Sequence, residues 1–116
     1  MNPLESELQT ALLLAAPAAI PHLRLFRRNV AKVRVGKRTI RFAIPGQCDL
    51  YGLVRGGRHI EVELKAAAGS LSAEQRAWRD FCQEWNVPWL LLQAGRGETV
   101  EVTVSRWLSE LARSAI

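Results

Sequence analysis

Apolar residues recur at helical spacing near the start of the chain and at strand spacing further on. A first helix is predicted over residues 3–16 and is expected to end before Pro17. The apolar residues that indicate this helix are Leu4, Leu8, Ala11, Leu12 and Ala15. A loop that contains Pro17 and Pro21 is expected to follow it.

A β-hairpin is predicted next, because "AKVRV" and "RTIRF" alternate on either side of Gly36 and Lys37. The apolar side of this ribbon carries Val33, Val35, Ile40 and Phe42. The opposite, basic side carries Lys32, Arg34 and Arg41. A basic ribbon on an apolar base is suited to lie along a phosphate backbone.

The second half of the chain predicts two strands, a helix, two more strands and a short final helix. "CDLYGLV" and "RHIEVELK" indicate strands around Gly56-Gly57, and "GSLSAEQRAWRDFCQEW" indicates a helix with a capping box. That box pairs Ser72 with Gln75, and one face of the helix carries Trp78, Phe81, Cys82 and Trp85, with both tryptophans expected in the core.

The apolar run "PWLLLQ" (88–93) predicts a strand buried on both faces, whereas the alternating "TVEVTV" (99–104) predicts an outer strand. Ser105 is expected to cap a final helix. This order predicts an α/β fold in which helices flank a mixed central β-sheet.

Composition indicates a single domain over residues 1–116, since 48% of the residues are hydrophobic and no linker is visible. Cys48 and Cys82 form no CxxC motif and no disulfide framework, which favours reduced thiols in a cytoplasmic protein. The run "ALLLAAPAAI" is about half the length of a bilayer span, and no Lys or Arg precedes it, so no membrane association is expected.

Basic residues are concentrated in one part of the chain, whose formal net charge is +5. Residues 8–48 contain eight Lys or Arg and no Asp or Glu. Such one-sided charge favours a polyanionic partner, and nucleic acid is the commonest one. A basic surface that only aids solubility is the alternative.

The register of the strands around Gly56-Gly57 determines which acids become neighbours. A two-residue turn would place Leu50 opposite Glu63, so that apolar side chains face charges along the ladder. A three-residue loop places Leu50 opposite Val62 and Asp49 opposite Glu63, which the hydrophobic pattern favours. A local bulge near Gly52 would have a similar effect.

Neighbouring carboxylates of Asp49 and Glu63 would repel each other unless a cation lies between them. Two unit charges at ~4 Å repel by about 4 kcal/mol at an effective dielectric of 20. Mg²⁺ favours carboxylate oxygens and keeps waters that can be activated, so the pair predicts a metal site next to Lys65. The alternative is a strand face that only meets water.

The same residues resemble the D…ExK core of the PD-(D/E)XK nucleases. Asp49 is followed after 13 residues by "ELK" (63–65). Within that superfamily the chain is most similar to VRR-NUC (virus-type replication-repair nuclease) domains. The resemblance covers residues 5–94 and rests on "ESELQ", "RRN", "PGQCDLYG" and "IEVELKAAAGSLSAEQRAW".

The resemblance implies a restriction-endonuclease-like core and a role for each matching position. The metal ligands would be Glu5, Asp49, Glu63 and the Leu64 carbonyl. Lys65 would orient water or stabilise charge, and Gln75 matches a glutamine on the following helix. Stand-alone members are phage or bacterial homodimers that cut branched DNA.

Several of these residues also have a structural interpretation. Glu5 suits the first turn of a helix, Gln75 suits a capping box, and Glu61 is expected to pair with a nearby arginine. Arg27, Arg28 and Asn29 are either phosphate contacts or loop residues.

Together these observations predict a Mg²⁺- or Mn²⁺-dependent, structure-specific DNA endonuclease that cuts branched DNA such as four-way junctions. Phosphate contacts are predicted at Arg27, Arg28, Asn29, Lys32, Arg34 and Arg41. The alternatives are a non-catalytic nucleic-acid-binding module that retains the nuclease fold and a sequence-specific, restriction-type enzyme.

Overall fold

The computed structural model describes residues 2–28, 32–41 and 44–114. Within these ranges it has three helices: α1 (Glu5–Ala19), α2 (Ala73–Glu84) and α3 (Val100–Ser114). The strands are β1 (Leu23–Arg27), β2 (Lys32–Val35), β3 (Arg38–Arg41), β4 (Leu50–Val54), β5 (Arg58–Lys65) and β6 (Trp89–Gln93). No helix in the described ranges is long and apolar enough to span a bilayer.

Four strands form a mixed central sheet in the order β1-β4-β5-β6. The pairs β1–β4 and β4–β5 are antiparallel, whereas β5 and β6 are parallel. A parallel pair needs a crossover connection, which α2 supplies here. The three-residue loop between β4 and β5 pairs Leu50 with Val62 and Gly52 with Ile60, which confirms the predicted register.

The two faces of this sheet have different neighbours. Even-numbered residues of β5, such as Val62 and Leu64, pack in a core with Leu8 and Leu12 of α1 and with Trp107 of α3. Odd-numbered residues of β5 point to the opposite face, where α2 lies. Glu61, Glu63 and Lys65 therefore belong to this second face.

The predicted hairpin is confirmed as a separate two-stranded sheet, in which Lys32 pairs with Arg41 and Val35 with Arg38. Its basic side chains Arg34, Lys37 and Arg38 are exposed. Val35 is also exposed, at 57%. At this position the expected apolar base of the ribbon is therefore not buried.

The expected outer strand at residues 99–104 is wrong, because this segment begins α3. The Thr99 hydroxyl accepts a hydrogen bond from the Val102 N–H (3.2 Å), as an N-cap does. Val104, Trp107 and Leu111 are buried on one side of the helix, whereas Val102 is 52% exposed. The burial of residues at helical spacing therefore favours a helix over the strand that the short alternating pattern predicts.

Strand β1 occupies a segment that the sequence predicts as a loop. Its alternation of Leu23, Arg24 and Leu25 is short, but pairing with β4 satisfies its backbone. The preceding helix α1 extends past Pro17 to Ala19, and the Ile20 N–H closes the last turn on the Ala16 carbonyl at 2.8 Å. Because Ala16 and Ile20 are buried, this last turn contributes to the core.

Burial is also lower than predicted in the β6–α2 region. β6 is an edge strand of the described sheet, not one buried on both faces, and its Leu91 is 37% exposed. On α2, Cys82 is buried and Trp78 is half-buried, but Trp85 is 67% exposed, so its expected place in the core is wrong.

Gly46 permits the loop before β4 to lie against the first turn of α2. Its φ is +87°, and a Cβ at this position would lie 2.2 Å from the Glu74 carbonyl oxygen. Since backbone cannot move away as a side-chain tip can, we expect Gly46→Ala to lower the free energy of unfolding by about 3 kcal/mol or more.

Gly97→Ala is the matched control, because Gly97 has a φ of +78° but nothing within 4 Å of an added Cβ. It should cost about 1–2 kcal/mol from backbone strain alone. Urea denaturation of both variants measures the difference, and equal losses would show that the contact with Glu74 is unimportant.

Candidate metal centre

Three carboxylates from separate parts of the chain meet at the border of the sheet. Glu5 comes from the first turn of α1, Asp49 from the residue before β4, and Glu63 from the middle of β5. Each offers an oxygen that lies within 4.8 Å of the other two. The fold therefore brings together the three predicted carboxylate ligands, which are separated by up to 58 positions in the sequence.

Two of these carboxylates have an oxygen that is buried without a hydrogen-bond partner among the described residues, namely Asp49 Oδ2 and Glu63 Oε2. Glu63 as a whole is only 1% exposed. A buried, unpaired carboxylate oxygen is costly, and a hard divalent cation would satisfy both oxygens at once. The donor set is therefore compatible with a divalent cation that prefers oxygen ligands.

The protonation of the cluster reflects this crowding. Burial, and then the negative charge of Asp49, raise the pKa of Glu63 to about 8, against the opposing effect of Lys65. Burial and the charge of Asp49 also raise the pKa of Glu5. A bound cation would reverse these effects because it favours the charged carboxylates.

Gln75 contacts the cluster from the first turn of α2. Its amide Nε2 donates to Glu63 Oε1 at 3.1 Å. The predicted capping box is also present: Gln75 N donates to Ser72 Oγ (3.1 Å) and Gln75 Oε1 accepts from Ser72 N (2.9 Å). One side chain thus caps α2 and orients Glu63, so the two predicted roles of Gln75 are compatible.

Lys65 and Leu64 continue β5 beyond Glu63. Lys65 is half-buried on the same face as Glu63, and its charge counteracts the rise in the pKa of both Glu63 and Glu5. The Leu64 side chain points into the core and is 0% exposed. Its predicted contribution to the site can therefore come only from its backbone carbonyl.

Glu61, the second acid of β5, has a different environment. It is as buried as Glu63, at 1% exposure, yet both of its oxygens accept hydrogen bonds. Arg28 donates to both oxygens (2.7 and 2.9 Å), and Trp78 Nε1 donates to Oε1 (3.0 Å). His59 Nε2 lies 2.5 Å from Oε2.

These contacts decide which acid is available to a cation. Burial acts to raise the pKa of Glu61, but hydrogen bonds from Arg28, His59 and Trp78 outweigh it and lower the pKa. The predicted pairing of Glu61 with an arginine is confirmed. Glu63, and not Glu61, therefore belongs to the acidic cluster.

Arg28, which the sequence predicts as a phosphate contact, is largely buried and pairs with groups of the protein itself. Its side chain is only 15% exposed, and besides Glu61 it donates to the Cys48 carbonyl at 2.9 Å. Its backbone N–H donates to the Asp49 carbonyl, also at 2.9 Å. Arg28 thus ties the chain on both sides of the Cys48–Asp49 peptide bond to β5, which positions Asp49.

The other residues predicted to contact phosphate are described to different extents. Arg27 and Arg34 are exposed and accessible to a ligand. Lys32 and Arg41 lie on paired hairpin strands, whose backbone is described. Asn29 lies outside the described residues.

Sequence reasoning assigned no role to His59, which contacts Glu61 beside the acidic cluster. Its position two residues before Glu61 could have indicated this contact, since side chains at i and i+2 of a strand share a face. Both cysteines are free and buried, as expected for reduced thiols.

Comparisons of the chain with protein-family models, with curated proteins and with solved structures found no match.

The raised pKa of Glu63 predicts a distinctive pH dependence of stability in EDTA. The folded state holds this proton to a pKa of about 8, compared with an ordinary value of 4.5. The stabilisation is complete below pH 4.5 and is lost as the pH rises through about 8. We expect urea denaturation between pH 5 and 9 to show falling stability.

Glu63→Gln should flatten this part of the profile, because the amide carries no titrating proton. Glu84→Gln, at an exposed position of α2, is the matched control and should keep the parent profile. A profile in Glu63→Gln that still matches the parent would contradict the assignment.

Removal of the Arg28 side chain should leave Glu61 buried without its bidentate partner. We expect Arg28→Ala to destabilise the fold by roughly 3–5 kcal/mol, the usual cost of breaking a buried ion pair. Arg34→Ala, on the exposed hairpin, should change stability by less than about 0.5 kcal/mol. Urea denaturation measures both, and similar small effects would show that Arg28 is not a structural anchor.

Proposed function

We propose that this protein is a metal-dependent, structure-specific DNA endonuclease that hydrolyses phosphodiester bonds in branched DNA such as four-way junctions. The observation that carries the proposal is the cluster of Glu5, Asp49 and Glu63, in which two buried oxygens lack a protein partner among the described residues. Unpaired, buried carboxylates are costly for stability alone, which favours a functional reason for them.

We further propose that the fold is a restriction-endonuclease-like core of the VRR-NUC type. Support comes from the α/β architecture with its mixed sheet and from the placement of the D…ExK residues. Asp49 and Glu63 lie on neighbouring strand segments, and Lys65 follows on the same face. Gln75 and Glu5 reach the cluster from the two helices at which the family resemblance places them.

Each residue of the cluster has a chemical task in this proposal. Asp49, Glu63 and Glu5 would hold Mg²⁺ or Mn²⁺, with Gln75 fixing the orientation of the Glu63 carboxylate. A divalent cation bound there polarises a phosphate and lowers the pKa of a water. The Lys65 ammonium would balance negative charge as it develops on the phosphate.

The basic surface supports DNA as the substrate. Arg27, Arg34, Lys37 and Arg38 are exposed, and a Lys- and Arg-rich surface attracts the phosphate backbone in a salt-dependent manner. One chain contains one acidic cluster in its described residues. Symmetric cutting of a four-way junction needs two, so a two-fold homodimer is part of the proposal.

Cleavage assays on labelled linear, flap and four-way DNA separate this proposal from its competitors. With Mg²⁺ or Mn²⁺ the branched substrates should be cut, and EDTA should abolish cutting. A non-catalytic binding module would bind all of them without cutting, and a restriction-type enzyme would cut linear duplex at one sequence.

Asp49→Ala and Lys65→Ala should retain DNA binding but lower the cleavage rate by about 100-fold or more, since the first removes a ligand of the metal ion and the second removes the ammonium that balances negative charge on the phosphate. Glu7→Ala is the matched control, because Glu7 accepts a bond from the Leu4 N–H (3.4 Å) and does not belong to the cluster. Cleavage by Asp49→Ala or Lys65→Ala at the parent rate would refute the mechanism.

A further inference from the structure

The α2 face of the central sheet is covered over only part of its width. α2 contacts β5 through Gln75 and Trp78, and it also packs against β6. Over β1 and β4, among the described residues, no helix packs on this face. Two large apolar side chains are exposed there, Phe26 at 40% and Leu53 at 46%.

This uncovered part carries an aromatic row, which consists of Phe26, Tyr51 and His59. The ring centroids of Phe26 and Tyr51 are 5.4 Å apart with an interplanar angle of 26°, and those of Tyr51 and His59 are 5.7 Å apart at 13°. The rings are therefore nearly parallel and cross three strands. Phe26 ends the row on the edge strand β1, where another flat ring could stack.

Positive charge lies on the same face as the row. Arg24 of β1 pairs with Leu53 of β4 and lies two residues before Phe26, so its side chain shares this face. Glu61, which lies beside the row, is neutralised by its bidentate pair with Arg28, and the Arg28 guanidinium lies 5.2 Å from the Tyr51 ring centroid. This part of the sheet therefore combines aromatic surface with a field that attracts phosphate.

An open cleft continues the surface beyond Leu53. Its volume is about 350 Å³, and its lining includes Arg24, Arg55 and His22 but no acidic residue. The Nε2 atom of His22 is buried and lacks a hydrogen-bond partner among the described residues. A phosphate in this cleft would lie next to Arg24 and Arg55.

The row is also close to the acidic cluster. Tyr51 follows Asp49 by two residues on the same strand face, a separation of about 7 Å at the rise of a β-strand. A nucleic-acid strand whose phosphate lies at Asp49 and Glu63 could therefore place a neighbouring base against the aromatic row. Duplex DNA keeps its bases stacked inside, so only unpaired bases could use this surface.

We propose that the aromatic row and the adjoining cleft bind unpaired bases and phosphates of single-stranded DNA. This inference rests on the proposed function. In that setting, the protein would hold the single-stranded segments next to a branch while it cleaves the DNA. The binding itself requires neither the metal ion nor catalysis, so it can be measured without either.

Fluorescence anisotropy in EDTA tests the proposal with labelled single-stranded DNA, duplex DNA of the same sequence and the corresponding RNA. We expect the parent protein to bind single-stranded DNA most tightly. Phe26→Leu keeps apolar bulk but removes the ring face, and it should weaken single-stranded binding by about tenfold or more. Phe26→Tyr, which keeps the ring face, should bind like the parent.

Phe81→Leu is the matched control, because Phe81 on α2 is a similarly exposed aromatic, at 45%, outside the row. It should leave binding unchanged. Leu53→Glu adds a repulsive charge at an exposed position and should also weaken binding by about tenfold, which keeps the test valid if Phe26→Leu fails to fold.

Equal affinity for single-stranded and duplex DNA, tighter binding of RNA, or parent-like binding by both Phe26→Leu and Leu53→Glu would overturn the inference. These outcomes are distinct from failure of the proposed function. A protein that prefers single-stranded DNA in EDTA but never cuts DNA with Mg²⁺ or Mn²⁺ would retain this surface and lose only the endonuclease assignment.

Discussion

The close approach of half-buried Asp49 to buried Glu63 is the constraint around which the site is organised. Their approach follows from the β4–β5 register, and no protein donor meets Asp49 Oδ2 or Glu63 Oε2 among the described residues. Arg28 holds the chain at Asp49, while the capped start of α2 brings Gln75 to Glu63. These contacts hold the two carboxyl groups at a separation that a divalent cation could bridge.

Two glutamates on one strand show how tertiary contacts set chemistry. Glu61 and Glu63 are equally buried and share a face, yet the pKa of Glu61 is lowered while that of Glu63 is raised to about 8. Three donors surround Glu61, whereas Glu63 faces another carboxylate. One glutamate therefore stabilises the fold, and the other remains available to bind a ligand.

The position of α2 divides one sheet face into two regions of different character. The covered region contains the acidic cluster and the Glu61 network. The uncovered region contains the aromatic row and basic side chains, and Tyr51 connects the two because it contacts both Arg28 and His59. A single strand crossing this face would meet stacking surfaces and the cluster in succession, which links the proposed activity to a preference for unpaired DNA.

Local patterns in the sequence determined the mixed α/β class, the hairpin, the β4–β5 register and the capping box of α2. These features depend on residues close in the chain, where alternation, loop length and side-chain capping act directly. The neighbourhood of Asp49 and Glu63 followed from that register.

Only the tertiary structure decided the helical state of residues 100–104, the strand at 23–27 and the internal pairing of Arg28. Val100, Val102 and Val104 fit both a strand and a helix, and burial of Val104 beside Trp107 with Val102 exposed selects the helix. Arg28 lies 33 positions from Glu61, so no local pattern could reveal which arginine pairs with this glutamate. The physical reason is that burial and charge neutralisation depend on neighbours in space, which sequence spacing alone does not specify.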